Sequence, residues 1–253
     1  MHKRNPVMLM RSPSVKRRQR GLSIVELMVG VVIGLFIVGG ASKLFVDYLV
    51  SNKRLLLETK VNQELRAAAD LVARDVRRAG YWDNATAGLW STGAATPTPN
   101  PHATTAGALS STGTSVSYSY ARNADNVLDA NEYAGFRRQL VSGINVLEMQ
   151  VGQNAWQALT DPATVDVTAF NVTATAPTLV NDLSSYCSCL KSLTCTMADI
   201  ADPVFNPAGA PTLTIPSLSI VLTGRSVVDS SIERTLRETV RVRNAILTGA
   251  CPP

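Results

Sequence analysis

The sequence predicts an α+β protein: a long N-terminal helix, first membrane-spanning and then amphipathic, packed on an antiparallel β-sheet domain. Three observations predict it. No charged residue occurs from Leu27 to Ser42, sixteen positions of apolar and small side chains. A stripe then runs Val50, Arg54, Leu57, Val61, Leu65, Ala68, Val72, Val76, Ala79, in the steps of three and four that mark one helical face. Beyond residue 115 the chain breaks into short alternating segments with one polar face each, which suits a sheet covered on one side.

The chain has 253 residues, a length that suits one or two domains. Its formal net charge is +5, with 24 Lys and Arg against 19 Asp and Glu. The distribution removes the usual meaning of that excess. Lys3, Arg4, Arg11, Lys16, Arg17, Arg18 and Arg20 all lie in residues 1–21, which hold no acid. The remainder carries 17 basic and 19 acidic residues, a net of −2. The basic excess belongs to a targeting leader, so no nucleic-acid binding is inferred from it. The crowding of Lys16, Arg17, Arg18 and Arg20 against the apolar run keeps that end in the cytoplasm. An ordinary secretory signal has a shorter apolar core and an A-x-A-like cleavage site after it, and neither is present here.

Residues 22–42 form the expected membrane segment. At 1.5 Å per residue they span roughly 31 Å, about one hydrocarbon core. Gly30 and Gly34 make a G-x-x-x-G pair, and Gly39 and Gly40 follow, leaving room for another helix to approach. Residues 43–80 continue the helix. No Pro interrupts the chain between Arg20 and Thr96, and Asp70 and Arg74 are spaced for an i,i+4 ion pair. Arg77 and Arg78 fall in the last turn, with Gly80 as the C-cap.

Residues 81–253 make the globular domain. Its first part, 84–121, carries no charge, and 27 of the 34 residues from Asn84 to Ser117 are Ser, Thr, Ala, Gly or Pro. This composition predicts a long low-complexity loop. Strands are expected at Val116–Tyr120, Ile144–Val151, Val165–Val172, Leu218–Thr223 and Thr239–Arg243. Pro216 places the start of the fourth at an edge or a bulge.

One acid, Glu26, stands inside the first turns of the apolar helix. Such a charge costs roughly 2.5–3.5 kcal/mol at a membrane-helix centre and less near the interface, so an assigned partner is expected. The junction Arg20-Gly21-Leu22-Ser23-Ile24-Val25-Glu26 resembles the signal of type IV pilins and type II secretion pseudopilins. There a Gly precedes the cut, a hydrophobic residue follows it, and Glu is the fifth residue of the mature chain. Leu22 stands where Phe is commoner. Residues 140–152 and Arg237–Asn244 are similar to strands of PilW-type minor pilins and J-type pseudopilins. The resemblance implies a pilin fold, cleavage after Gly21 by a prepilin peptidase and N-methylation of Leu22. It further implies assembly through Glu26, which would meet a neighbour's new amino terminus. The expected partners are other minor and major pilins through the N-terminal helix, the prepilin peptidase, the inner-membrane assembly platform and the inner membrane itself. The domain would sit in the periplasm, and the protein would serve pilus initiation or the tip. A J-type pseudopilin and a membrane-anchored adhesin or DNA-uptake module are the alternatives.

The same reading implies a substrate and not an enzyme, and the residues agree. The only histidines are His2 and His102, which leaves little for His-based triads or zinc hydrolysis. No catalytic residue, cofactor or metal is expected. Asp125, Asp129, Asn131 and Glu132 lack the order of a calcium loop and read as a solvated turn. Arg225, Arg234, Arg237, Arg241 and Arg243 interleave with Asp229, Glu233 and Glu238, which reads as a mixed solvent face.

Cys187, Cys189, Cys195 and Cys251 all follow the membrane helix. An even count in an oxidising compartment predicts disulfides, and the C-x-C-x5-C spacing is not that of a zinc finger. A Cys187–Cys189 bond would close a very tight ring, so Cys195 is expected to pair with one of the two and Cys251 with the other. Peptide mapping under non-reducing conditions should therefore find two intramolecular bonds, one of them to Cys251. Four free thiols or stoichiometric zinc would refute this. Loss of one bond should cost the domain about 2–5 kcal/mol.

Overall fold

The structure, a computed structural model, describes residues 21–88, 98–104, 107–182 and 212–248. Nearly all of the expected leader, the four cysteines and part of the 84–121 segment lie outside the described residues. Helix α1 spans Ile24–Val76, 53 residues. Two compact units are present, one ending at Lys53 and the other beginning at Arg54.

In the first unit, α1 opens just after Leu22-Ser23, with the Leu27 N–H donating to Ser23 O at 3.1 Å. None of its described residues is buried.

In the second unit, the rest of α1 turns one face inward, burying Val61, Leu65, Ala68, Ala69, Val72, Ala73 and Val76. The predicted stripe is thus buried from Val61 onward, with Leu57 partly covered, while Val50 stays 63% exposed. The Asp70–Arg74 ion pair does not form among the described residues. Arg54 instead reaches Glu58 at 3.4 Å, and Arg66 donates to Asn62 at 3.0 Å. The helix end runs through a turn to Gly80, whose φ of +70° fits its expected capping role. The last carbonyls find distant donors. Arg77 O accepts from the Arg243 N–H at 3.0 Å and Ala79 O from Asn244 Nδ2 at 3.0 Å.

Among the described residues the strands form two antiparallel sheets, where the sequence suggested one. The first orders β1 (Ser110–Ser111), β2 (Ser115–Ser119), β3 (Tyr133–Val141), β4 (Ile144–Val151) and β5 (Trp156–Ala158). The second orders β6 (Val165–Asp182), β7 (Thr212–Ser226) and β8 (Glu233–Arg241), with β9 (Ile246–Thr248) beside β8 on β7. Strand β4 lies where the sequence placed it. Strands β6 and β7 run beyond the expected segments, and β8 begins six residues earlier than Thr239. The early part of β8 reads as charged and exposed, so only its pairing with β7, Arg225 opposite Glu233 through Ser217 opposite Arg241, makes it a strand.

The unpredicted β3 is the central strand of the first sheet. Ala134, Gly135 and Phe136 are all buried in a row, which erases the period-two signal. The local clue was Ser142-Gly143 between apolar runs. Both take positive φ, 51° and 87°, in a two-residue hairpin that pairs Val141 with Ile144. Pro216 proves not to be at an edge, because β7 is flanked on both sides. It does sit at an irregularity, where the register with β6 shifts between Thr175 and Leu179.

The 84–121 segment is not one long loop. Its described residues hold two 3-10 turns, Ala85–Gly88 and Pro101–Ala103, and then β1 and β2. Asn100 ties the second turn down, donating to Gly80 O at 3.0 Å and accepting from the His102 N–H at 2.9 Å. Specific backbone bonds order a stretch whose composition offers little apolar mass.

Helix and both sheets share one core. Leu65, fully buried, lies over β7 at Gly224, where an added Cβ would come within 2.9 Å of Leu65 Cδ2 and 2.8 Å of Val165 Cγ1. Asp166, 7% exposed, joins the sheets. It accepts from the Asn145 N–H and Nδ2 of β4 and from Arg225 Nε and Nη2 of β7, all at 2.8–3.0 Å. Burial alone would raise its pKa, but the Asn145 and Arg225 hydrogen bonds outweigh that and hold it below the usual carboxylate value.

Tyr118 of β2 donates its hydroxyl to Asp75 Oδ2 of α1 at 2.7 Å. An acid near a helix C-terminus opposes the helix dipole. Tyr118 and Arg78, which is 3.3 Å from Oδ1, offset that. Tyr118→Phe should therefore destabilise the body by about 1.5–3 kcal/mol. Urea unfolding of the full-length protein in detergent, with helix content monitored before the transition, measures it.

Candidate functional site

The N-terminal candidate is built on the first turns of α1. Gly21 and Leu22 precede the helix in exposed, irregular chain, and Glu26 falls in the first turn. A carboxylate there is favoured by the positive end of the helix dipole. The side chain is exposed and has no hydrogen-bond or ion-pair partner among the described residues. Around it lies uncovered apolar surface, with Leu22 at 73%, Ile24 at 80% and Phe36 at 78% exposure. By length and composition this part of the helix can cross a membrane, with mean hydropathy 2.4 in its most apolar window. Gly30, Gly34, Gly39 and Gly40 have open space where a Cβ would point. Val32, Leu35, Phe36, Gly39 and Gly40 line a shallow depression of about 340 Å³. This geometry accepts other helices or lipid.

Two clusters in the body differ from the sequence expectation. The first surrounds His102, which is 1% exposed although it lies in the low-complexity stretch. Its Nδ1 is 3.0 Å from Ser119 Oγ, and that hydroxyl donates to Gly107 O at 3.0 Å. A neutral imidazole then donates from Nδ1 and leaves Nε2 without a proton. Nε2 has no hydrogen-bond partner and faces Glu132 Oε2 at 3.9 Å. Glu132 is fully buried and not part of a solvated turn. Its oxygens accept from the Arg122 N–H at 2.8 Å and the Asp129 N–H at 3.0 Å. Asp125 and Asp129 accept from Asn123, and no group of three metal-ligating side chains occurs among the described residues. The pair was illegible because a lone His and a lone Glu thirty residues apart carry no spacing signal.

The second is the arginine set expected as a mixed face. It divides. Arg225 pairs with Asp166 at 2.8 Å and Arg234 with Glu58 of α1 at 3.0 Å. Among the described residues Arg237, Arg241 and Arg243 have no carboxylate within ion-pair distance. The cysteines, expected as disulfides, lie outside the described residues.

The model of the prokaryotic N-terminal methylation motif matches residues 16–42. The family model described as prepilin peptidase-dependent protein B matches residues 54–242, about three quarters of the chain. No curated protein and no solved structure matches.

Desolvation holds the His102 pKa below its ordinary value near 6.5, against the opposing pull of Glu132 and Asp125. The unfolded chain then binds a proton at a pH where the folded chain does not. This contribution to stability is complete above about pH 6.5 and is lost as pH falls below it. The urea midpoint should change little between pH 8 and 7 and fall between pH 7 and 5, and His102→Gln should flatten that fall. An unchanged slope in that variant would assign the effect elsewhere.

Proposed function

We infer what this chain does from the family it belongs to, that of prepilin peptidase-dependent protein B. It is a type IV pilin-like protein and a substrate of prepilin peptidase, with the N-terminal methylation motif ahead of its body. Its apolar helix fits membrane anchoring. We propose that it is a minor pilin of a type IV pilus, cut after Gly21 and methylated on the new amine of Leu22. Before assembly the helix sits in the inner membrane with the body in the periplasm. The subunit then joins the complex that initiates the pilus or forms its tip. It acts as a building block and not as a catalyst.

The observation that carries this reading is Glu26, a lone exposed acid in the first turn of a helix that buries no residue before Val61. When helices bundle, the amine released at Leu22 enters an apolar surrounding as a cation. A carboxylate of a neighbouring subunit compensates it, and the pair costs less than either charge alone. A plain signal anchor has no use for the acid and would gain from losing it.

The test is a strain with Glu26→Val as its only copy. The variant should insert, be cleaved and fold, yet be depleted from sheared filaments or fail to initiate them, since a charge stranded in the bundle costs about 3–5 kcal/mol. Gly21→Asp should leave the precursor uncut. Wild-type amounts of Glu26→Val in filaments would end the charge-pairing mechanism, and an intact Met1 in assembled wild-type protein would end the processing reading.

A further inference from the structure

The body carries a groove with one wall from α1 and the other from the outer edge of the second sheet. At one end Asp70, Ala73, Arg74 and Arg77 of α1 face Glu238 and Thr239 of β8 across a volume of about 470 Å³. The other end, about 460 Å³, is lined by Arg77, Thr239, Arg241, Val242, Arg243 and Ile215. Arg77 and Thr239 line both ends, so the two volumes adjoin. Among the described residues β8 pairs on one side only, with β7. Alternate residues along this nine-residue strand therefore present main-chain N–H and C=O groups outward.

We propose that this groove binds an extended acidic segment of a second protein, added to the β8 edge as a further strand. Main-chain hydrogen bonds along the edge supply the register. Arginines supply the charge recognition. Arg74, Arg77, Arg241 and Arg243 are exposed, and among the described residues none has a carboxylate within ion-pair distance. Guanidinium groups take carboxylates in paired hydrogen bonds, which suits side chains spaced along a strand. The charge pattern selects the partner. One end is purely basic, with Arg77, Arg241 and Arg243, whereas the other sets Asp70 and Glu238 beside Arg74 and Arg77. A uniformly charged nucleic acid or lipid surface would meet repulsion at that second end. A protein segment can place its acids at one end and neutral residues at the other. The inference rests on the body alone and adds a binding face to the function proposed above, so either can fail without the other.

The test uses the full-length protein in detergent micelles at low salt and a fluorescent decapeptide of alternating Glu and Thr. Anisotropy should show binding that weakens at least tenfold in the Arg241→Glu/Arg243→Glu double variant and stays unchanged in Arg66→Glu, an exposed arginine outside the groove. A decapeptide with Pro in place of every Thr has the same charge and half the main-chain donors, and should bind several-fold more weakly. If the charge-reversed variant unfolds early in a thermal scan, Arg241→Gln/Arg243→Gln replaces it with the same expected direction. Absent binding, equal weakening by Arg66→Glu, or equal affinity for the Pro peptide each overturns the proposal. So does tighter, double-variant-sensitive binding of duplex DNA or anionic vesicles, or self-association of the chain that the double variant abolishes.

Discussion

Leu65 occupies the space that Gly224 leaves open, and the body depends on that contact. A helix and a sheet each have one apolar side that must be covered, and here a single stripe on α1 covers two sheets at once. Burial of each Val, Leu or Ile in that stripe is worth about 1.5–3 kcal/mol. Polar ties then set the orientation of the helix: Asp75 to Tyr118 in the first sheet, and Glu58 to Arg234 in the second. Asp166 joins the sheets to each other, so the three layers are held by one apolar core and a few charged pins.

The same helix meets two environments. Up to Lys53 none of its described residues is buried, and most are apolar. Surface of that kind persists only in lipid or against other apolar helices. Glu26 is the exception within it. Ranked by cost, an acid in that setting is tolerable near the interface and expensive deeper, so its place in the first turn is the cheapest the helix offers.

The helix end shows how distant parts of the chain are made to agree. Arg243 and Asn244 close its last carbonyls, and Gly80 turns the chain toward Ser119 and Asn100. This closure brings the strand after Glu238 alongside the last turn of α1. The arginines of the two elements, far apart in sequence, come to line one groove as a result. His102 is drawn inside by the same segment, which explains why a polar side chain in a plain Ser/Thr/Ala stretch ends up beside a buried Glu132.

Periodicity and local chemistry were enough to read the long helix, its stop at Gly80, the α+β class, strand β4 and the pilin-type N-terminal motif. These features rest on side-chain spacing within one element or on a contiguous motif, and both are properties of the chain itself. The central strand β3, the second sheet, the early half of β8 and the order within residues 98–121 depended on pairing. Gly135 becomes a core residue only because Ser117 and Gln150 lie on either side of it. The His102–Glu132 pair and the arginines without a carboxylate partner among the described residues have the same origin. Charge and burial at one residue are decided by neighbours that tertiary folding brings from elsewhere, so spacing along the chain carries no trace of them.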